Sequence, residues 1–251
     1  MATVWALADL HLSFGVPNKE MDFFGENWAN WTTRVEENWK RIVKDEDLVL
    51  IAGDISWAMH VAEAVPDLEW IHKLPGTKVI LRGNHDYWWS SLSQIQKILP
   101  SSIHLIQNNA LNWNNVTIGG SRLWDSSEYK FQEYIDYADN PRAKKISSVD
   151  SNQVESDRLF ERELTRLETS LKALSKNADF RIAMTHYPPI SADLQPSKAS
   201  AMLEKYNVDA CVFGHLHNVK QDMPLFGKKN ETTYYLTSCD YLNFTPIKII
   251  K

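Results

Sequence analysis

The chain has 251 residues, 43% of them hydrophobic and 24% charged, with a formal net charge of −5. That size and balance suit a soluble globular protein with a sizeable core, and the acidic surplus excludes a chain-wide basic footprint for duplex nucleic acid or anionic membrane. Two cysteines, Cys211 and Cys239, cannot build a disulfide framework, no window approaches the roughly 18 apolar residues of a membrane helix, and the first residues lack a signal-peptide pattern, so the expected location is the cytoplasm, with no membrane anchor.

Residues 3–8 read as a buried strand ending in Asp9–Leu10–His11. Side chains two apart on an extended segment point the same way, so Asp9 and His11 can converge while Leu10 turns into the core. Gly15, Pro17, Asn18 and Gly25 make residues 12–26 a loop. Trp28, Trp31, Val35, Trp39 and Ile42 then recur at helical spacing, the mark of a core-facing stripe. Residues 48–52 form a second buried strand, ending in Gly53–Asp54. Residues 55–75 hold a helix that ends near Leu74, before Pro75–Gly76. His60 and His72 in that stretch read as surface or helix residues.

The third strand, Val79–Ile80–Leu81, leads through Arg82 into Gly83–Asn84–His85–Asp86. Open α/β sheets gather their chemistry beyond the carboxyl ends of the strands. Tyr87, Trp88 and Trp89 follow at once and are candidate substrate contacts: rings that wall a substrate, able to stack on a base, or that seal the strand's end. Residues 91–99 form a short amphipathic helix stopped by Pro100, and His104 sits in a strand pattern as a structural residue. Residues 111–120 read as a hairpin turning at Asn114–Asn115. Arg122, where that strand breaks, is a candidate phosphate clamp.

Residues 126–152 are polar with interleaved Tyr129, Phe131, Tyr134 and Tyr137, the composition of an insertion or lid. Phe160, Leu164, Leu167, Leu171 and Leu174 mark a long amphipathic helix. Residues 181–184 are a strand ending in Thr185–His186. A helix over 194–206 leads to a strand over 208–213, which ends in Gly214–His215–Leu216–His217. Strands over 232–238 and 246–250 close the chain. No repeat or linker divides it, so a single domain over 1–251 is expected.

Five strand ends thus carry one grammar: Asp9-x-His11, Gly53–Asp54, Gly83–Asn84–His85–Asp86, His186 and Gly214–His215–Leu216–His217. Their donors are carboxylate, amide oxygen and imidazole with no thiolate, a set for borderline-to-hard divalent ions. One ion takes about four to six such ligands. So many donors point to two ions, roughly 3.5–4 Å apart as in two-metal phosphoryl transfer.

In these blocks the chain resembles the calcineurin-like metallophosphoesterase superfamily, whose signature runs D-x-H, GD, GNH-D/E, H and GHxH in that order. The resemblance implies an α/β fold, a four-layered α/β/β/α sandwich of two mixed sheets flanked by helices. It implies one ion on Asp9, His11, Asp54 and His217 and a second on Asp54, Asn84, His186 and His215, with Asp54 as the bridge. His85 would contact the phosphate or protonate the leaving oxygen, oriented by Asp86. The implied cofactor is two divalent cations, Mn²⁺ in first place, with Fe, Zn, Ni or Co as alternatives. The implied reaction is hydrolysis of a small phosphodiester, nucleotide or phosphomonoester by in-line attack of hydroxide held on the metals. A nucleotide-sugar pyrophosphatase and a catalytically silent scaffold of the same fold are the alternatives.

Overall fold

The structure, a computed structural model, describes residues 2–136 and 150–250. In chain order its elements are β1 (Val4–Ala6), α1 (Trp31–Ile42), β2 (Leu48–Ile51), α2 (Val61–Lys73), β3 (Thr77–Leu81), α3 (Leu92–Ile95), β4 (Ile103–Ile106), β5 (Ala110–Trp113), β6 (Val116–Ser121), α4 (Asp150–Lys172), β7 (Phe180–Thr185), α5 (Lys198–Lys205), β8 (Ala210–Phe213), β9 (Gly227–Lys229), β10 (Thr232–Leu236) and β11 (Ile247–Ile250). Short 3₁₀ turns precede α1.

Two mixed sheets form. The first runs β11-β1-β2-β3-β4, parallel throughout except for antiparallel β11 at its edge. The second runs β5-β6-β7-β8-β10-β9, with four parallel central strands and an antiparallel strand at each edge. Strand periodicity sorts the side chains into layers. Leu48 and Leu50 of β2 and Val79 and Leu81 of β3 meet Ile182 and Met184 of β7 and Ala210 and Val212 of β8, which makes the core between the sheets. The alternate residues face outward. Val49, Ile51 and Ile80 pack against Trp31, Val35 and Trp39 of α1 and Leu68 and Ile71 of α2. Ala183, Cys211 and Phe213 pack against Leu164, Leu167 and Leu171 of α4 and Leu203 of α5. The layers are therefore α/β/β/α. Strands buried on both faces must be apolar at every position, which is why the sequence shows continuous runs rather than alternation.

Several boundaries move from their expected places. α4 starts at Asp150 rather than near Phe160, because its first turns are polar and carry no stripe to read. α5 starts at Lys198, where Ser197 Oγ accepts the Ser200 N–H at 2.9 Å and caps the helix. Residues 91–99 are helical only over α3. β9, short and polar, gives no sequence signal. The proposed lid over 126–152 falls partly on residues 137–149, outside the described residues. Its first part packs onto the molecule: Tyr129 donates its hydroxyl to the Pro188 carbonyl at 2.5 Å, and Ile135 bridges to Val219. Among the described residues no helix is long and apolar enough to cross a membrane.

Candidate metal centre

The carboxyl ends of β1, β2, β3, β7 and β8 bring Asp9 and His11, Asp54, Asn84, His186, and His215 and His217 together. Two groups of ligand atoms converge among the described residues, Asp9–His11–His217 and Asp9–Asp54–His186. In the first, His11 Nε2 lies 3.2 Å from His217 Nε2, and His217 Nε2 lies 4.0 Å from Asp9 Oδ1. Beside the second, Asn84 Oδ1 stands 2.6 Å from His186 Nε2 and 3.0 Å from His215 Nδ1. Asp54 Oδ2 faces both, 3.8 Å from His11 Nε2 and 3.5 Å from His186 Nε2.

The convergence of Asp9 with His11 does not come from an extended segment, as alternation predicts. Both residues are left-handed, at φ 58° and 46°, as are Asp54 at 49° and His215 at 73°. Such conformations cost about 1–3 kcal/mol each for non-glycine residues and persist only where the surroundings enforce them. Here the loops are tied to one another: the Asp9 N–H donates to Gly53 O, the His11 N–H to Asp54 O, and the His215 N–H to both Asp9 carboxylate oxygens at 3.1 Å.

The glycines of the motifs are spacers for this assembly. A Cβ on Gly83 would overlap Asp54 Oδ1, and one on Gly214 would overlap Asp9 Oδ2. A Cβ on Gly53 would stand 2.5 Å from His186 Nδ1. Only hydrogen fits between neighbouring loops at these points.

Electrostatics follow from burial and from the pairs. Burial alone would lower the pKa of His186, but Asp54 and then Asp9 outweigh it and raise it to about 9. His217 is likewise pulled down by burial and lifted by Asp240 to about 9. Burial raises Asp54, yet His186 and His11 hold it well below the carboxylate range, whereas burial raises Asp9 to about 6. A divalent cation competes for the positions these protons hold, so binding releases protons.

The donors fit a pair of divalent cations. They are carboxylate, amide and imidazole without thiolate. Two imidazoles also have their outer nitrogen fixed, as metal-binding histidines do. His186 Nδ1 is 3.0 Å from the Ala52 carbonyl, which can only accept, so Nε2 is turned to the cluster. His217 Nδ1 is 2.8 Å from Asp240 Oδ1. Asp240 escaped the sequence reading, although it follows β10 in the same strand-then-carboxylate pattern. Asp240→Asn is expected to weaken metal retention at the His11–His217 group about 10- to 100-fold, read by titrating the chain with a competing chelator.

Trp57 also escaped notice. Its ring stacks on His11 at 4.9 Å and lies 4.6 Å from His85. His85 adjoins the site, with its backbone N–H on Asp54 Oδ1 at 2.8 Å and its Nδ1 buried without a partner. Asp86 does not orient it. The Asp86 carboxylate instead accepts the N–H groups of Ile55, Ser56 and Gly83 and the Trp88 indole N–H, tying the β2 and β3 loops together. The expectation for Trp88 and Trp89 is corrected too. They are 1% and 4% exposed in the core under the first sheet's helices, because Asp86 and Gln107 take their indole N–H groups inward. Tyr87, 51% exposed and 6.1 Å from the His85 ring, stays beside the site. Arg122 turns to Glu163 at 3.7 Å and over Trp124 at 4.5 Å.

A two-sheet sandwich with paired Asp/His/Asn clusters at the strand ends defines the metallophosphoesterase class. The family model for calcineurin-like phosphoesterases matches residues 2–219, and the chain belongs to that family. Over 86 residues it is 34% identical to the gene 66 protein of Mycobacterium phage D29. That stretch is 34% of this chain and 41% of the phage protein, so the match spans under half of the relative's length. Two solved structures are similar along nearly the whole chain. One is the protein of unknown function AQ665 from Aquifex aeolicus, 15% identical, covering 99% of this chain and 96% of that one with a TM-score of 0.49. The other is the phosphopantetheinyl hydrolase PptH from Mycobacterium tuberculosis, 13% identical, covering 99% and 95% with a TM-score of 0.48.

Proposed function

We propose that this protein is a dinuclear-metal phosphohydrolase acting on a small phosphoester. One cation would sit on Asp9, His11, Asp54 and His217 and the other on Asp54, Asn84, His186 and His215, with Mn²⁺ the first choice. The observation that carries this reading is the position of Asp54 Oδ2, within 3.8 Å of an imidazole nitrogen from each group. When bound, the cations would lower the pKa of a coordinated water from about 15.7 toward neutrality and draw off phosphoryl charge.

The chain supplies the rest. His85 carries a buried Nδ1 without a partner at the site, as His11 does, but His85 is no member of either ligand group, and the Trp57 ring lies 4.6 Å from its own. Burial lowers its pKa, opposed by Asp54, which favours a hydrogen bond to a phosphoryl oxygen over a resting imidazolium. Tyr87 is the exposed ring beside it. A cleft of about 730 Å³ lined by Trp124, Tyr129, Phe131, Tyr187 and His215 adjoins the second group. Its aromatic walls suit the alcohol side of the ester, a nucleoside or another flat group. Cys211 and Cys239 are buried free thiols, in keeping with the cytoplasm as the location.

The test is a panel of mono-, di- and pyrophosphoesters assayed with Mn²⁺, Fe²⁺, Zn²⁺ and Mg²⁺. Hydrolysis that follows metal loading supports the reading; a chain that holds two cations and cleaves none of them overturns it. His85→Ala is expected to lower kcat about 10²- to 10⁴-fold with the metal content unchanged. Wild-type turnover by that variant would remove His85 from the chemistry.

A further inference from the structure

A second polar cleft, of about 110 Å³, opens where the carboxyl ends of β3, β4 and β6 meet α4, and none of the candidate metal ligands lines it. Arg82, Arg122 and Arg166 line it together with Glu163, Gln107 and Trp89. In a chain with a surplus of five negative charges, three guanidiniums line this cleft against one carboxylate. That carboxylate is already committed. Glu163 Oε1 is 2.6 Å from Arg166, 3.7 Å from Arg122 and 3.9 Å from Arg162. Among the described residues Arg82 has no ion pair, and its Nε is buried without a hydrogen-bond partner. A buried unsatisfied donor costs about 1–3 kcal/mol, more for a charged group. Arginine cannot relieve that cost by losing its proton.

Other donors point the same way. Gln107 spends its amide oxygen on the Trp89 indole, which leaves its NH₂ group unbonded among the described residues. Burial and the neighbouring Arg82 and Arg162 charges lower the Arg122 pKa, with Glu163 opposing. The missing element is therefore negative and oxygen-rich. The cleft, about 110 Å³, has room for a small polyatomic anion.

We infer that this cleft binds an oxyanion of the phosphate or sulfate class, held by Arg82, Arg122 and Arg166 outside the metal centre. The anion would span both halves of the sandwich. Arg82 directly precedes the Gly83–Asn84–His85 loop, and the Arg122 carbonyl accepts the His186 and Tyr187 N–H groups at 3.0 Å. An anion clamped there would fix the backbone that presents Asn84 and His186. Two sources share this chemistry: a free inorganic anion, and a second anionic group on the substrate of the proposed phosphohydrolase.

The first measurement needs no catalysis, so it stands apart from the proposed function. Sulfate is titrated calorimetrically into the full chain stripped of metal by chelator, with thermal unfolding followed in parallel. Wild type is expected to bind one sulfate saturably and to unfold at a higher temperature. Arg82→Gln and, independently, Arg166→Gln are expected to bind about tenfold more weakly or worse, with Arg82→Lys intermediate. Asp9→Asn, in the metal centre, is expected to bind as wild type does. Circular dichroism checks that each variant is folded, and the Arg166 change sits on α4, away from the metal-bearing loops. Absence of saturable binding by wild type overturns the inference, as does binding by folded Arg82→Gln and Arg166→Gln equal to wild type. Steady-state kinetics of the metal-loaded Arg166→Gln protein then separates the sources. A raised KM only for esters with a second anionic group identifies a substrate arm. Unchanged KM for every ester, with sulfate binding lost, identifies a free anion.

Discussion

Asp54→Asn is expected to cost the protein both cations and its hydrolytic activity together. The substitution keeps size and shape, so the Asn side-chain oxygen can still accept the His85 N–H that Asp54 Oδ1 takes at 2.8 Å. What it removes is negative charge between the two groups. Asp54 is the carboxylate that holds the His186 pKa up against burial, and it faces His11 as well. Without it, Asp9 is the one carboxylate left to the two groups, and bringing two divalent ions out of water to a site with so little negative charge is unfavourable. Metal content by atomic emission is expected to fall below one ion per chain. kcat/KM is expected to drop by at least about 10³-fold, roughly 4 kcal/mol of transition-state stabilisation. A folded Asp54→Asn protein that still carries two ions would show that this carboxylate is no bridge.

Gly83→Ala is expected to do nearly as much damage while leaving every ligand in place. Gly83 has no positive φ, so alanine is acceptable to its backbone, and the obstacle is space alone. The added methyl overlaps the Asp54 carboxylate and backbone N at the point where the β3 loop passes the β2 loop. Asp54 must give way, and a shift of an ångström in a ligand is enough to lose the geometry of a site. Metal retention and turnover are both expected to fall at least about tenfold, with a stability loss of about 1–3 kcal/mol in urea denaturation from overpacking. Gly227→Ala is the control: it has φ 115° and nothing within 4 Å of its added methyl, so it strains the backbone far from the site. Equal activity and metal content in wild type and Gly83→Ala would mean that the loops do not touch in solution as they do here.

The same pair of loops shows how much the primary structure exposes. β2 reads as a strand because burial on both faces leaves it apolar at every position, and β3 does so from Val79 on. Gly53–Asp54 and Gly83–Asn84–His85 stand out because a glycine and polar side chains interrupt such runs. α1 and α4 show apolar stripes where they pack on a sheet, and the polar sequence of the first turns of α4 carries none. Asp240 follows a strand as the other carboxylates do but has no glycine or histidine within two residues to mark it, and Trp57 belongs to no motif; each matters through the histidine it touches. Trp88 and Trp89 misled for the converse reason. A ring beside a motif in sequence can turn either way, and Asp86 and Gln107 decide the direction through hydrogen bonds.

The amino-acid order by itself determined which chemical groups this protein could offer a cation, and that they sit at strand ends. Those facts depend on residue type and local periodicity, which are written along the chain. The family resemblance implied which of these groups go together; the tertiary structure set His215 Nδ1 3.0 Å from Asn84 Oδ1, His217 Nε2 3.2 Å from His11 Nε2, and Asp54 Oδ2 within 3.8 Å of His11 and His186. It also set Arg82 beside Arg122 and Arg166 in a cleft of their own. Those outcomes depend on contacts between segments far apart in sequence. They are fixed by how two sheets pack, by glycines that let loops approach, and by left-handed turns that no periodicity encodes.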